Sequence, residues 1–188
     1  MAIDLRKGGR INLEKEIPSL KDIGIDLGWS VNENDGDFDL DASLFMVAKN
    51  GKVPQDGYFI FYNNLVSPDG AAVHHGDDRT GEDDGENIVI KLDKIDSSIE
   101  ELIFVVTIHD ADIRNQNFGK VKNAFIKIYD LDTDRDIVRY NLEENFSSEV
   151  SIEFGRIYKK GIFSKTWEFK ATGKGSNAGL QGFVNRFV

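Results

Sequence analysis

Apolar and β-branched residues recur along this chain in short runs separated by turn dipeptides, among them Asn50-Gly51, Asp56-Gly57, Asp69-Gly70 and Lys160-Gly161. That rhythm predicts an all-β sandwich or barrel. Strands are expected over 3–5, 10–13, 23–29, 38–47, 58–61, 88–92, 102–108, 124–130, 137–141, 150–158 and 167–172. Within 38–47 the alternation is strict: Phe38, Leu40, Ala42 and Leu44 fall on one face, while Asp39, Asp41 and Ser43 follow Asp37 on the other. From 102 to 108 the run is almost continuously apolar, as in a central strand covered on both faces. Helix is the minority. Residues 96–101 suit a short helical turn, and Ser176 or Asn177 is placed to cap a final helix whose Leu180, Phe183, Val184 and Phe187 form a stripe for docking on the sandwich. The fold class read from this pattern is a β-sandwich of two mainly antiparallel sheets with a few short helices, one of them C-terminal. At 188 residues a single domain over 1–188, with a substantial core, is expected.

Two acidic segments stand out against that pattern. The first is Asp35-Gly36-Asp37-Phe38-Asp39-Leu40-Asp41; the second runs from Asp69 to Glu86 and contains Asp77, Asp78, Glu82, Asp83 and Asp84. Same-face carboxylates about 7 Å apart on a strand repel by roughly 0.6 kcal/mol in water and about 2 kcal/mol at an effective dielectric near 20. A bound cation reverses the sign. Glycines at 70, 76, 81 and 85 let backbone carbonyls turn inward, and Asn63 and Asn64 add amide oxygens. This suits calcium, which takes six to eight oxygens, better than magnesium, which keeps its waters. The plain alternative is a solvated acidic surface. Neither EF-hand-like stretch qualifies: Ala42 and Ala48 replace the glycine and glutamate in the first, and Ile137 replaces the glycine after Asp132-Thr133-Asp134-Arg135-Asp136, which reads as a hairpin turn.

Composition narrows the function further. Apolar content of 40% with thirteen Phe indicates a folded chain, and a net charge of −10 directs it away from nucleic acid and anionic membranes, toward cations or basic partners. The absence of cysteine removes disulfides, thiolate metal sites and thiol nucleophiles. Without a secretory signal or an eighteen-residue apolar stretch, a cytoplasmic location is expected. His74 and His75 are neighbours that face opposite ways in extended chain, and no nucleophile elbow, phosphate loop or dinucleotide fingerprint is present. No catalytic residue and no organic cofactor are assigned, so an enzyme is not expected. Lysines and arginines crowd the second half, from Lys120 and Lys122 to Lys170 and Lys174; the resulting charge dipole permits weak head-to-tail self-association.

Longer strings carry a family resemblance: Leu27-Gly28-Trp29, Phe38-Asp39-Leu40-Asp41-Ala42-Ser43, Phe61-Tyr62-Asn63-Asn64-Leu65, Gly76-Asp77-Asp78-Arg79-Thr80-Gly81-Glu82 and Phe118-Gly119-Lys120-Val121. Together they resemble the TerD family of tellurium-resistance and stress-response proteins, from Leu5-Arg6-Lys7-Gly8-Gly9 to Lys170-Ala171-Thr172-Gly173-Lys174-Gly175. The resemblance implies a bacterial, cytoplasmic, calcium-binding β-sandwich associated with resistance to tellurite, other toxic agents and phage. It places ligands for calcium, two ions, among Asp39, Asp41, Asn63, Asn64, Asp69, Asp77, Thr80, Gly81, Glu82, Asp84 and Glu86; Asp37 joins them from the strand alternation. One departure is that Asp83-Asp84-Gly85-Glu86 is shorter and less acidic than the family's usual ending. Lacking cysteine, the chain cannot reduce tellurite through a thiol of its own, so resistance would work through partners, sensing or sequestration. The expected function is a non-enzymatic calcium-binding module that acts through other stress-system proteins, a membrane-associated complex among them, without direct nucleic-acid binding or membrane insertion. The alternatives are a metal-dependent hydrolase and a structural subunit of a stress-associated assembly.

Overall fold

The computed structural model describes residues 2–31, 38–76, 86–161 and 165–188. Two six-stranded sheets pack face to face. The first has β1 (Ile3–Leu5), β10 (Arg135–Asn141), β9 (Val121–Asp130), β3 (Asp22–Val31), β7 (Glu86–Lys91) and β6 (Ala72–His74) in spatial order. The second has β2 (Arg10–Asn12), β12 (Thr166–Ser176), β11 (Ser151–Lys160), β8 (Ile99–Ile108), β4 (Leu40–Ala48) and β5 (Phe59–Ile60). Every pairing is antiparallel except β1 with β10. Among the described residues three short α-helices complete the fold: α1 (Leu13–Glu16), α2 (Ala111–Arg114) and α3 (Gly179–Phe187).

Strand alternation builds the core. Ile25, Ile88, Ile90, Ile126 and Ile128 of the first sheet meet Leu40, Ala42, Leu44, Phe104, Val106 and Phe169 of the second. The register expected for 38–47 is the one observed: Phe38, Leu40, Ala42, Leu44 and Met46 point into the core. On the opposite face Asp41 and Ser43 are followed by Phe45 and Val47, which join Ile103, Val105, Phe183 and Phe187 in a second apolar cluster. That face turns apolar because α3 lies over it, with the Phe45 and Phe187 ring centroids 5.2 Å apart. β8 is therefore buried on both sides, as its continuous apolar run requires.

Several local details depart from the pattern read in the sequence. Residues 96–101 form no helix; Asp96 accepts hydrogen bonds from the Ser98 amide and hydroxyl, at 2.8 and 2.6 Å, and β8 starts at Ile99, which is drawn into the core. β6 is a three-residue strand where only loop was expected. The final helix is capped at Ala178, two residues beyond Ser176 and one beyond Asn177, and Ser176 Oγ accepts from the Ala178 amide at 3.1 Å. The hairpin read at 132–136 is present: the Thr133 hydroxyl donates to Asp130 Oδ2 at 2.6 Å, and Asp134 has a φ of 53°.

Candidate metal centre

The strand ends that flank residues 32–39 and 75–85 lie at one end of the sandwich. β3 stops at Val31 and β4 begins at Leu40; β6 stops at His74 and β7 begins at Glu86. Asp37, Asp77, Thr80, Gly81, Glu82 and Asp84 lie outside the described residues. What the structure does place is the set of anchors from which the two segments leave and to which they return.

Glu86 is the tie between them. It is the first residue of β7, and the strand's inward face, continued by Ile88 and Ile90, puts its side chain between the sheets, where it is fully buried. β5 pairs with β4 only at Leu44 and Phe45. Beyond the end of β5, side chains take over: Glu86 Oε2 accepts the Ala42 amide at 2.7 Å, and His74 Nε2 stands 3.3 Å from the Ala42 carbonyl and 2.9 Å from Glu86 Oε2. The Gly76 amide donates to His74 Nδ1 at 3.1 Å. That nitrogen must hold a lone pair, so the ring hydrogen sits on Nε2 and is donated to Glu86. A carboxylate taken out of water survives through such charge-assisted bonds.

Asp39 and Asp41 approach from the other sheet. Asp41 is 6% exposed, with Oδ2 3.5 Å from His109 Nδ1. His109 Nε2 is in turn 3.5 Å from Asp110 Oδ2, and its ring is met edge-on by Tyr62 at a centroid distance of 6.4 Å. Asp39 Oδ2 is 3.9 Å from the Arg114 guanidinium, whereas Asp39 Oδ1 is buried without a hydrogen-bond partner among the described residues. An unsatisfied buried carboxylate oxygen is costly; a hard cation is the kind of group that satisfies it. Beside Asp41 a cleft of about 370 Å³ opens between Tyr62, His109, Asp112 and the start of α3.

The remaining expected ligands divide. Asn64 Nδ2 donates to the Gly57 and Phe59 carbonyls at 3.0 and 2.6 Å, so this amide holds its own loop together; Asn63 beside it is exposed. Their turn borders the centre through Tyr62. Asp69 is elsewhere: it accepts from the Ser67 hydroxyl at 2.5 Å and the Ala71 amide at 2.9 Å, and its Oδ2 accepts the Asp96 amide at 2.9 Å. Antiparallel pairing of β6 with β7 puts this turn at the far end of β7 from Glu86. Among the described residues no group of three His, Asp or Glu side chains is gathered closely enough to hold a metal. His74 and His109 entered no expected ligand set, yet both touch its carboxylates. The in-and-out alternation of the His74-His75 pair was the available signal, and it is realised: His74 is 2% exposed and His75 faces solvent.

A two-sheet sandwich with an acidic end, its carboxylates tied across the sheets, is the class of protein defined so far. The TerD domain model matches residues 1–187, and the chain belongs to that family of tellurium-resistance and stress-response proteins. It is 48% identical over 183 residues to the tellurium resistance protein TerD of Serratia marcescens, covering 96% of this chain and 94% of that protein. It is 42% identical over 184 residues to general stress protein 16U of Bacillus subtilis (strain 168), again covering 96% and 94%. A solved homologue of telluride resistance protein (TerD) from Streptomyces coelicolor A3(2) superposes with a TM-score of 0.70 at 21% identity, covering 88% of this chain and 95% of that one. That likeness supports the sandwich fold. No helix among the described residues is long and apolar enough to cross a membrane.

Proposed function

We propose that this protein is a calcium-ordered, non-enzymatic interaction module of a bacterial cytoplasmic stress response, working through partner proteins. The observation that carries the reading is Asp39 Oδ1, buried and lacking a hydrogen-bond partner among the described residues, beside Asp41 at the end of the first acidic segment, with Glu86, the last residue of the second, bonded to the Ala42 amide of the same strand. Asp39 and Asp41 would hold calcium, joined by carboxylates that the sequence supplies at Asp37, Asp77, Glu82 and Asp84 and by oxygens of Thr80 and Gly81; the carboxylate number suits two ions. Glu86 serves as the anchor, since Oε2 is already engaged by Ala42 and His74. Calcium supplies charge neutralisation, and the residues of this chain do the rest. His74 fixes Glu86, Glu86 fixes β4, and the acidic segments present a surface whose shape depends on the ion.

Calcium at a hundredfold excess over its Kd adds about 2.7 kcal/mol of stability, or about 5–10 °C in Tm for a chain of this size. Calorimetric titration and thermal melts with and without calcium test this. An unchanged Tm at millimolar calcium would sink the reading. Asp41→Asn should keep the fold and lose most of the calcium response. A metal-dependent hydrolase is the second reading, favoured by the His109–Asp41 contact beside the 370 Å³ cleft. It requires metal-dependent turnover of phosphoester substrates that disappears in His109→Ala, whereas the module reading expects none.

A further inference from the structure

The outer face of the second sheet is divided in two. α3 covers the β4 and β8 half through Phe183 and Phe187; the half made by β11, β12 and β2 carries charge. Register puts Arg10 of β2 opposite Lys170 of β12, and Lys170 opposite Arg156 of β11. All three line one groove of about 570 Å³, which Lys7 and Lys174 also line. Directly opposed side chains on one face have Cβ atoms about 5 Å apart, and like charges so placed repel. A row of three cations across three strands is therefore an unfavourable arrangement unless something anionic meets it.

Part of the answer lies within the groove. Glu153, 2% exposed, takes Arg156 Nε at 2.6 Å and Nη2 at 2.7 Å, and Glu101 takes Nη1 at 3.2 Å. These are the two carboxylates in the lining, against five cations, so the groove carries a net charge of 5 − 2 = +3 in a chain of −10. The Arg10 charge is close enough to Tyr158 and Glu168 to draw the pKa of each down. Lys7, Lys170 and Lys174 have no ion pair or hydrogen bond from their ammonium groups to any described residue. The loop bearing Lys7 is clamped: the Gly8 amide donates to the Ala171 carbonyl at 2.8 Å and the Ala171 amide to Gly9 at 3.0 Å, with a φ of 83° at Gly8 that favours glycine. The backbone that carries these cations is thus fixed before any ligand arrives.

We propose that this groove binds a polyphosphate chain, either free or carried by a nucleotide. The row from Arg10 to Arg156 spans two strand spacings, about 10 Å, which a single phosphate cannot bridge and a chain of phosphates follows. Lysine ammoniums serve as point charges and the guanidinium of Arg10 as a fork for such oxygens. The volume is that of a small-molecule site. The inference is independent of the calcium reading, because the groove shares no residue with the acidic end.

Polyphosphates chelate divalent cations, so the test is isothermal titration calorimetry on calcium-free protein at fixed ionic strength, with tripolyphosphate, ATP and inorganic phosphate as probes. Tripolyphosphate or ATP should bind, and inorganic phosphate at least about tenfold more weakly. Lys170→Ala and Lys174→Ala should each weaken binding by about tenfold, the loss of one charge-assisted contact, with unfolding curves confirming that both variants are folded. Asp41→Asn should leave it unchanged. Tighter binding of ATP than of tripolyphosphate identifies a nucleotide; equal binding identifies the phosphate chain alone. The proposal is overturned if neither probe binds below about 1 mM, if the lysine variants bind as well as the parent, or if a tetra-aspartate peptide binds as tightly, which would assign the groove to an acidic protein segment.

Discussion

At the acidic end of the sandwich the charges stand at strand ends; in the basic groove three of them stand in register across adjacent strands. Asp39, Asp41 and Glu86 stand at or beside the starts of β4 and β7, whereas Arg10, Lys170 and Arg156 are set by two consecutive strand pairings. A ligand held between strand ends ties those ends together as it binds, and its effect on stability includes that tie. A ligand over paired strands meets groups already fixed, so its effect is mass action alone. Like-charge crowding by itself does not reveal a function; what holds the charges does.

Mutations can break this comparison at both places. The largest loss is expected in the floor of the groove, where Arg156→Met leaves the buried Glu153 carboxylate without its forked partner and costs about 3 kcal/mol, read from urea unfolding. Glu86→Ala, which strands the Ala42 amide and the His74 Nε2–H, should cost about 2–3 kcal/mol and also blunt the calcium-induced rise in Tm. A Glu86→Ala protein as stable as the parent would remove the tie from which the acidic end has been built. Lys170→Ala, by contrast, should change stability by no more than about 0.5 kcal/mol and in the favourable direction, since it relieves the opposed cations. Another small effect concerns Glu168. Burial pushes its carboxyl up, but the Lys160 ammonium and the Tyr158 hydroxyl outweigh it and hold the pKa below the ordinary carboxylate value. Its contribution is complete above the unfolded-state value near pH 4 and is lost as pH falls through the depressed folded value. Lys160→Met should therefore destabilise by less than about 1 kcal/mol at pH 7, the pair being partly exposed, with the difference closing in melts recorded on the acid side.

Much of the fold could be read from periodicity. Phe38 to Met46 kept the face that alternation assigned, and Leu102 to Ile108 became a strand buried on both sides because no polar residue short of Thr107 interrupts it. The three-residue strand Ala72–His74 was not legible: it is too short to show a period, and its inward His74 counts as polar until Glu86 is seen opposite it. The helical turn expected from Asp96 failed for a related reason, since the core's demand for Ile99 overrides the local preference of the serines before it. At the candidate centre, the alternation that puts Asp39 and Asp41 on one face of their strand was legible, whereas the bond from Glu86 to the Ala42 amide was not. Nearness in sequence misplaced Asp69, because the short β6 carries the chain from one end of the sheet to the other between Asp69 and Gly76. The pairing of Arg10, Lys170 and Arg156 was invisible in one dimension: residues far apart along the chain become neighbours only through register.

Apolar faces hold two sheets together without fixing their offset, because such contacts are non-directional. The bond from Glu86 to the Ala42 amide has a direction, and it joins the root of one sheet's strand to the backbone of the other. It works like a dowel through two planks. A shift at residue 86 reaches the main chain of β4 through one hydrogen-bonded side chain and not through the compliant apolar layer. Further along β4 stand Phe45 and Val47, the bed on which α3 rests, so the C-terminal helix is mechanically in series with the acidic end even though the two do not share a contact at Glu86.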